Sequence, residues 1–402
     1  MKHRLLRLTL TLGALSAIAP MSIDMYLPSL PSLERALSTD AASVQLTLAV
    51  FFLGLAVGQV LYGPLADRFG RKGPLYAGIS LYTLTSAGCA LAPNVQSLIL
   101  LRLAEALGGC AGAVIARAVV RDLFDAQEAA RMFSLILLVM GVAPIVAPLA
   151  GGALLVWLGW RSIFWILALF GLLVLLGVLL WLPETRQAGH IATGLRHPMR
   201  SYAQLLRDRR FLGFALAGGF AQAGMFAYIS GSPSVFIDLY GVPPQHYGWL
   251  FGANALGLIF ASQANRHLLT RHGAYQVLSW ANRATAAFGA LLVLAAASRI
   301  GGFLGLLLPL FAYITTLGFL FPNSVALALD PQGERAGTAS ALLGTLQFTA
   351  AAAASTVVGT LYNATAVPMA GVIAVCGTLG LVAGRFLVPA AARSLASPAQ
   401  SA

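Results

Sequence analysis

The chain has 402 residues, of which 58% are hydrophobic and only 9% charged, with a mean hydropathy of +0.82. Soluble domains carry about 25% charged residues, so a water-soluble fold would lack the charge to cover itself, whereas lipid as the solvent removes that demand. The net charge of +12 falls in short basic clusters between apolar runs rather than in a stripe, which argues against a nucleic-acid footprint and for a multi-pass membrane protein whose Lys and Arg stay on one side.

Twelve segments are apolar over roughly the 20 residues that a helix needs to cross hydrocarbon. They run 6–27, 43–63, 74–92, 96–117, 132–157, 162–182, 210–232, 246–265, 275–297, 301–324, 337–360 and 368–389. The first follows Lys2, His3, Arg4 and Arg7, as a secretory leader would. It runs on to Asp24-Met25-Tyr26-Leu27-Pro28 without a cleavage site and is read as a retained span. The turns at Leu158–Arg161 and Ser298–Gly302 are very short. With the N-terminus inside, twenty basic residues fall at inner positions and three, Arg35, Arg161 and Arg299, in outer loops. That asymmetry predicts cytoplasmic termini at both ends. Arg102 and Arg283 lie deeper in spans, and Arg283 reads as snorkelling toward the inner interface.

Residues 183–209 form a polar, basic linker that splits the spans six and six, giving an N-terminal bundle at 1–182 and a C-terminal bundle at 210–402. A weak internal echo supports two related halves: Gly63–Lys72 after the second span and Ala264–Gly273 after the eighth are similar polar, basic turns. Cys89, Cys110 and Cys376 lie in apolar runs without metal or disulfide spacing and read as packing residues.

The stretch Gly63-Pro64-Leu65-Ala66-Asp67-Arg68-Phe69-Gly70-Arg71-Lys72 is the most specific in the chain. Gly63 and Gly70 permit a tight turn, and Asp67 stands among three cations. This stretch resembles the loop signature of the major facilitator superfamily. Leu101–Gly109 resembles the fourth-span motif with its intramembrane Arg, and Gly141–Gly152 the fifth-span motif of the drug:proton antiporters. Ile23–Pro31 resembles the first-span signature of the bicyclomycin/chloramphenicol resistance (Bcr/CflA) subgroup. The resemblance implies an all-α membrane protein: twelve transmembrane helices in two pseudo-symmetric six-helix bundles, the major facilitator fold. It further implies proton-driven efflux of small amphipathic antibiotics such as bicyclomycin, chloramphenicol or florfenicol, in a bacterial inner membrane.

Asp24 and Glu105 are the acids inside spans, and Arg102 lies at a depth similar to Asp24. Ionisable groups at that depth are costly and mark cavities, partners or proton paths. Asp24 is therefore a candidate for alternating protonation, the plainer reading being a solvated carboxylate at a helix end. Arg102 is a candidate for coupling proton to cargo, the plainer reading being a fixed ion pair. Glu105, where the family usually has Gln, either neutralises Arg102 three residues away or serves as a second proton site.

At the inner face, Gly63, Asp67, Arg68, Gly70, Arg71, Lys72 and Asp122 make a candidate gate, with Asp122 paired to Arg68 or Arg71. In the fifth span, Gly141, Pro144, Pro148, Gly151 and Gly152 read as a bent, closely packed helix; the resemblance implies that it seals the interface between bundles. Met25, Tyr26, Phe226, Tyr228, Ser230 and Gln347 are candidate cargo-cavity liners, each equally open to a packing role.

No nucleotide-binding loop, metal set or nucleophile elbow is present in the sequence. The expectation is a secondary transporter and not an enzyme, without cofactor and driven by a proton gradient. Its partners are a small-molecule drug or metabolite, protons and the bilayer; nucleic acid is not among them, and a monomer suffices. The alternative is a carrier of a normal metabolite, an amino acid or sugar.

Overall fold

The computed structural model describes residues 2–185 and 196–389. Arg186, Arg393 and residues 186–195 of the linker lie outside them. The first half holds α1 (Lys2–Asp24), α2 (Leu30–Ala36), α3 (Ala41–Phe69), α4 (Lys72–Ala90), α5 (Val95–Leu123), α6 (Ala126–Leu158) and α7 (Trp160–Trp181). After it come α8 (Arg196–Leu205), α9 (Arg209–Pro233), α10 (Pro244–Leu268), α11 (Ala274–Ser298), α12 (Gly302–Leu329), α13 (Ala336–Thr360) and α14 (Val367–Val382). Among the described residues there is no strand. Apolar runs take this form because hydrocarbon offers no hydrogen bonds, and a helix satisfies every backbone group within itself.

Twelve of these helices are long, counting α14 with its helical continuation to Leu387, and ten of the twelve are also apolar enough to cross a membrane. The other two, α4 and α10, match predicted spans but are more polar. Gly, Ser, Thr and Tyr recur along α4, and α10 carries Gln245, His246, Asn254, Gln263 and Asn265. Large apolar side chains face outward, among them Leu84, Leu180, Phe260 and Phe386, as a surface bathed in lipid permits and one in water does not.

Four helix starts are capped by a side chain. Asp40 accepts from the Ser43 amide (2.8 Å), Asn94 from that of Ser97 (2.9 Å), Asp125 from that of Glu128 (2.8 Å) and Asp208 from that of Arg210 (2.8 Å). Each satisfies a donor that the first helical turn leaves open. The hydroxyl and amide of Ser43 hold the Asp40 carboxyl below the usual carboxylate range.

Two expectations need correction. The first span does not run unbroken to residue 27: α1 stops at Asp24, and a tight turn at Leu27–Ser29 leads into α2. Pro28 and Pro31 lack the amides that a continuing helix requires. Residues 183–209 are not loop throughout, since α8 occupies Arg196–Leu205.

The chain divides into two compact units, Met1–Leu195 with Val242–Phe251, and Arg196–Gly241 with Gly252–Ala402. Small residues set the packing inside each. In the first, a Cβ on Gly108 of α5 would stand 2.5 Å from the Tyr82 amide nitrogen of α4, and one on Gly58 of α3 would stand 2.5 Å from Cys110 Cβ. In the second, a Cβ on Gly318 of α12 would collide with the Leu258 carbonyl of α10. Cys89, Cys110 and Cys376 are buried and free.

Candidate functional site

A buried charge pair sits in the first unit. Arg102 and Glu105 lie one turn apart on α5, and both are fully buried. Arg102 Nη1 donates to Glu105 Oε2 at 2.8 Å, and Nη2 donates to the Ser22 carbonyl of α1 at 3.1 Å. The guanidinium is enclosed by aromatic rings: Phe51 at 4.1 Å, Tyr26 at 4.6 Å and Phe164 at 5.8 Å from its central carbon. Such faces attract a desolvated cation. Arg102 Nε has no partner, so the five N–H donors of the guanidinium are not all used.

Glu105 is held from α4, where Ser86 Oγ donates to Oε1 at 2.8 Å and Cys89 Sγ approaches Oε2 at 3.9 Å. Tyr82 and Ser22 share a hydrogen bond of 2.8 Å, tying α4 to α1. Ser22, Phe51, Tyr82, Ser86 and Phe164 thus belong to the site although the sequence reading did not name them. The signal was the low hydropathy of the third span, whose polar groups serve a buried charge pair.

Asp24 is placed differently. It ends α1, is 5% exposed, and makes no ion pair or side-chain hydrogen bond among the described residues. Burial replaces the plainer expectation of a solvated helix-end carboxylate. Arg102 and Glu105 are brought together; Asp24 stays outside the pair. Its neighbour Met25 is covered by α6, for a Cβ on Gly151 would collide with the Met25 carbonyl. Tyr26 is fully buried and shares a 2.8 Å hydrogen bond with Thr47.

α6 runs unbroken through Pro144 and Pro148. Gly151 and Gly152 are buried, Gly141 and Pro144 half-buried. Gly152 packs on the start of α10, which groups with this unit: a Cβ there would stand 2.6 Å from the Pro244 carbonyl.

The second cluster is the turn between α3 and α4. Gly63 does not help to make it, contrary to expectation. It lies inside α3 with open space beside it, and the chain turns at Gly70 (φ 86°, ψ 174°). Both Gly63 and Pro64 are absorbed into the helix because the nearby amides still find carbonyls one turn back. Arg71 forks between two acids, with Nη1 donating to Asp67 at 2.7 Å and Nε to Asp122 at 2.8 Å. Burial opposes the Arg71 charge, and the two carboxylates outweigh it and hold the group more firmly protonated. Of the two cations proposed for Asp122, Arg71 is thus in contact; Arg68 lies over the Phe69 ring at 5.3 Å and Lys72 over that of Tyr76 at 5.5 Å.

Glu184, just beyond α7, is the residue that sequence reasoning missed here. Its carboxylate accepts from the amides of Arg71 (2.8 Å) and Lys72 (3.1 Å). It therefore caps the start of α4, where a negative charge is favoured. Thr185 Oγ1 donates to Asp122 at 2.9 Å and joins the same network.

Of the six candidate liners, Met25 and Tyr26 belong to the first unit, and Phe226, Tyr228, Ser230 and Gln347 to the second. Phe226 stacks obliquely on Phe348 at 5.8 Å. The Tyr228 hydroxyl accepts from Asn254 Nδ2 at 2.9 Å, and Asn254 Oδ1 is buried without a partner. Ser230 Oγ donates to the Ala227 carbonyl at 3.3 Å, and Gln347 is half-buried near Gly219. Arg283 is exposed, its Nη2 donating to Ser279 at 3.2 Å. Among the described residues no three His, Cys, Asp or Glu side chains are grouped to hold a metal.

Comparison with known proteins places these features. The family model described as Major Facilitator Superfamily matches residues 12–356. An uncharacterised MFS-type transporter of Bacillus subtilis, YdgK, is 38% identical over 94% of both chains. A bicyclomycin resistance protein homolog of Haemophilus influenzae is 32% identical over 94% of this chain and 95% of its own. A chloramphenicol resistance protein of Pseudomonas aeruginosa is 29% identical over 85% of this chain and 81% of its own. Among solved structures, a D-xylose–proton symporter superposes with a TM-score of 0.74 at 16% identity, covering 95% of this chain and 97% of that one. At such identity the likeness is one of fold.

Proposed function

The chain belongs to the major facilitator superfamily, and on that premise we propose that it is a proton-coupled exporter of small amphipathic drugs of the bicyclomycin and chloramphenicol kind. It works by alternating access in a bacterial inner membrane, with both termini cytoplasmic and a proton gradient as its only energy source. The observation that carries this reading is the near full-length likeness to relatives named for resistance to those drugs.

Asp24 and Glu105, the two acids inside spans, then take different parts. Glu105 neutralises Arg102 and fixes it among aromatic rings, a structural pair with its charge settled. Asp24 is buried without a cation, and an unpaired charge at membrane depth is costly. A proton, or a cargo that brings a donor, removes that cost. Asp24 is therefore the group that exchanges proton for drug, and the Arg71 network sets the balance between the two access states. Ion pairs such as Arg71–Asp122 are worth little singly, but they suffice where two states differ by only a few kcal/mol.

The test is protection of an efflux-deficient cell against chloramphenicol and bicyclomycin by the wild type and by Asp24→Asn, with membrane insertion of both measured. The wild type should protect and the well-inserted variant should not. Equal protection removes Asp24 from the mechanism. In everted vesicles, drug accumulation that survives a protonophore would overturn the proton coupling and leave the cargo assignment standing.

A further inference from the structure

Between α11 and α12 of the second unit lies an apolar groove of about 510 Å³. Phe288, Leu291 and Leu294 line it from α11, Leu308 and Pro309 from α12, and Ile300 from the turn between them. Leu291, Leu294, Ile300 and Leu308 are 50–75% exposed, so nothing in the unit fills it. The groove follows α11 from Phe288 to Ser298, ten residues or about 15 Å at 1.5 Å each. That is half of the roughly 30 Å hydrocarbon core, the depth of one leaflet.

A cation stands at the end of the groove. Arg299 follows Ser298 in a left-handed conformation (φ 55°) and is exposed. Its side chain makes no ion pair or hydrogen bond among the described residues. The two other basic residues of the proposed outer loops are occupied: Arg35 Nε donates to the Pro31 carbonyl at 3.2 Å, and Arg161 lies 4.2 Å from the centre of the Trp160 ring. Arg299 departs from the charge pattern of the chain without a protein partner to account for it.

Aromatic residues flank the turn from the end of the α9 segment and the start of α12. Tyr240 Oη donates to the Gly302 carbonyl at 3.4 Å, and its ring meets Phe303 at 5.6 Å. Aromatic residues collect at headgroup level, which puts Arg299 at the depth of lipid phosphate. Gly305, where a Cβ would collide with the Ile300 carbonyl, keeps the turn folded close against α12.

We propose that this groove is a phospholipid site. One acyl chain lies along α11 and α12, and the anionic phosphate of the headgroup meets the Arg299 guanidinium. The chemistry selects an anionic glycerophospholipid over a zwitterionic one, because a net negative headgroup leaves the cation paired after the chain is seated. On the proposed orientation the site faces the outer leaflet; its existence does not depend on that orientation or on the identity of the exported cargo.

Native mass spectrometry of the full chain, incubated separately with phosphatidylglycerol and phosphatidylethanolamine, tests it. The wild type should retain one phosphatidylglycerol in preference to phosphatidylethanolamine. Arg299→Gln should lower phosphatidylglycerol occupancy about fivefold, the effect of one basic side chain on anionic-lipid binding, and leave phosphatidylethanolamine unchanged. Leu294→Trp, a bulky group at a lipid-facing position, should lower retention of both, and Leu308→Trp on the opposite wall does the same work should Leu294→Trp fail to fold. Unchanged preference in Arg299→Gln, or full retention in a folded groove variant, overturns the proposal. So does a wild-type dimer that the groove variants dissociate, since a second copy would then cover the face.

Discussion

Arg102 shows how a single residue is made tolerable where water is absent. Its charge is balanced by Glu105 at 2.8 Å and surrounded by Phe51, Tyr26 and Phe164. Removing one partner of a buried pair leaves an uncompensated charge, at a cost of about 3–5 kcal/mol, whereas replacing both with apolar groups of similar volume is often neutral. Glu105→Leu should therefore lower the unfolding temperature in detergent sharply, and Arg102→Met combined with Glu105→Leu should recover most of the loss. A double variant no more stable than the worse single would show that the two do not act as a unit. Glu105→Gln, which keeps an acceptor at the same place, should fall between. In the sequence the pair was visible because i and i+3 share a helix face, and so was the rarity of charge at that depth. The cage was not. Phe51, Phe164 and Ser86 are ordinary residues of three different helices, and only packing tells that the two rings face the guanidinium and the hydroxyl its carboxylate partner. Asp24 was likewise visible as an acid near a span end. Whether it would be solvated or buried depended on where α1 stops and on Gly151 closing over Met25.

At the scale of elements, what decides is how helices start and how they turn. The Gly63–Lys72 stretch announced a turn, yet its two glycines are indistinguishable in composition. Gly70 takes a backbone conformation (φ 86°, ψ 174°) open essentially only to glycine, and Gly63 is plain helix. The partner that fixes the turn, Glu184, lies 113 positions beyond Arg71 and read as one more polar linker residue. The structure separates two ways in which Gly70→Ala can fail. A Cβ there would stand 2.8 Å from Glu184 Oε2, and the backbone itself would be strained by about 1–3 kcal/mol. If strain dominates, Gly70→Ala should destabilise the protein in detergent by that amount, and combining it with Glu184→Ala should give close to the sum of the two single losses. If the contact dominates, the double variant should be no less stable than Glu184→Ala alone. The geometry favours the first, because a surface carboxylate can swing aside and a backbone dihedral cannot. The long helices themselves were largely legible, because backbone in lipid has few alternatives to a helix. Their ends were less so: α1 stops short at Asp24, and α8 arises inside the linker, where neither hydropathy nor a strong cap signals it.

For the whole molecule the controlling quantity is the sidedness of charge. If all twelve segments cross, twenty basic residues fall on one side against three on the other, a bias that bears on insertion because Lys and Arg near span ends resist translocation. It yields an orientation only when combined with the number of spans, and here two of the twelve long helices, α4 and α10, fall below the apolarity of the rest. Were either to lie outside the membrane, every later loop would change side. Exposed positions on either side of α3, α4 and α10 therefore test the count as well as the orientation. Ser38, in the turn between α2 and α3, and Thr270, between α10 and α11, are both exposed. The native cysteines are buried, so background labelling should be low. On the proposed orientation, a membrane-impermeant maleimide added to intact cells should label Ser38→Cys, and it should label Thr270→Cys only after permeabilisation. Between these sites lie the spans α3 to α7, α9 and α10, seven in number, an odd crossing count that puts them on opposite sides. Labelling of both in intact cells would remove one span from the count, with α4 and α10 the helices to suspect. Labelling of Thr270→Cys alone would keep all twelve and invert the protein.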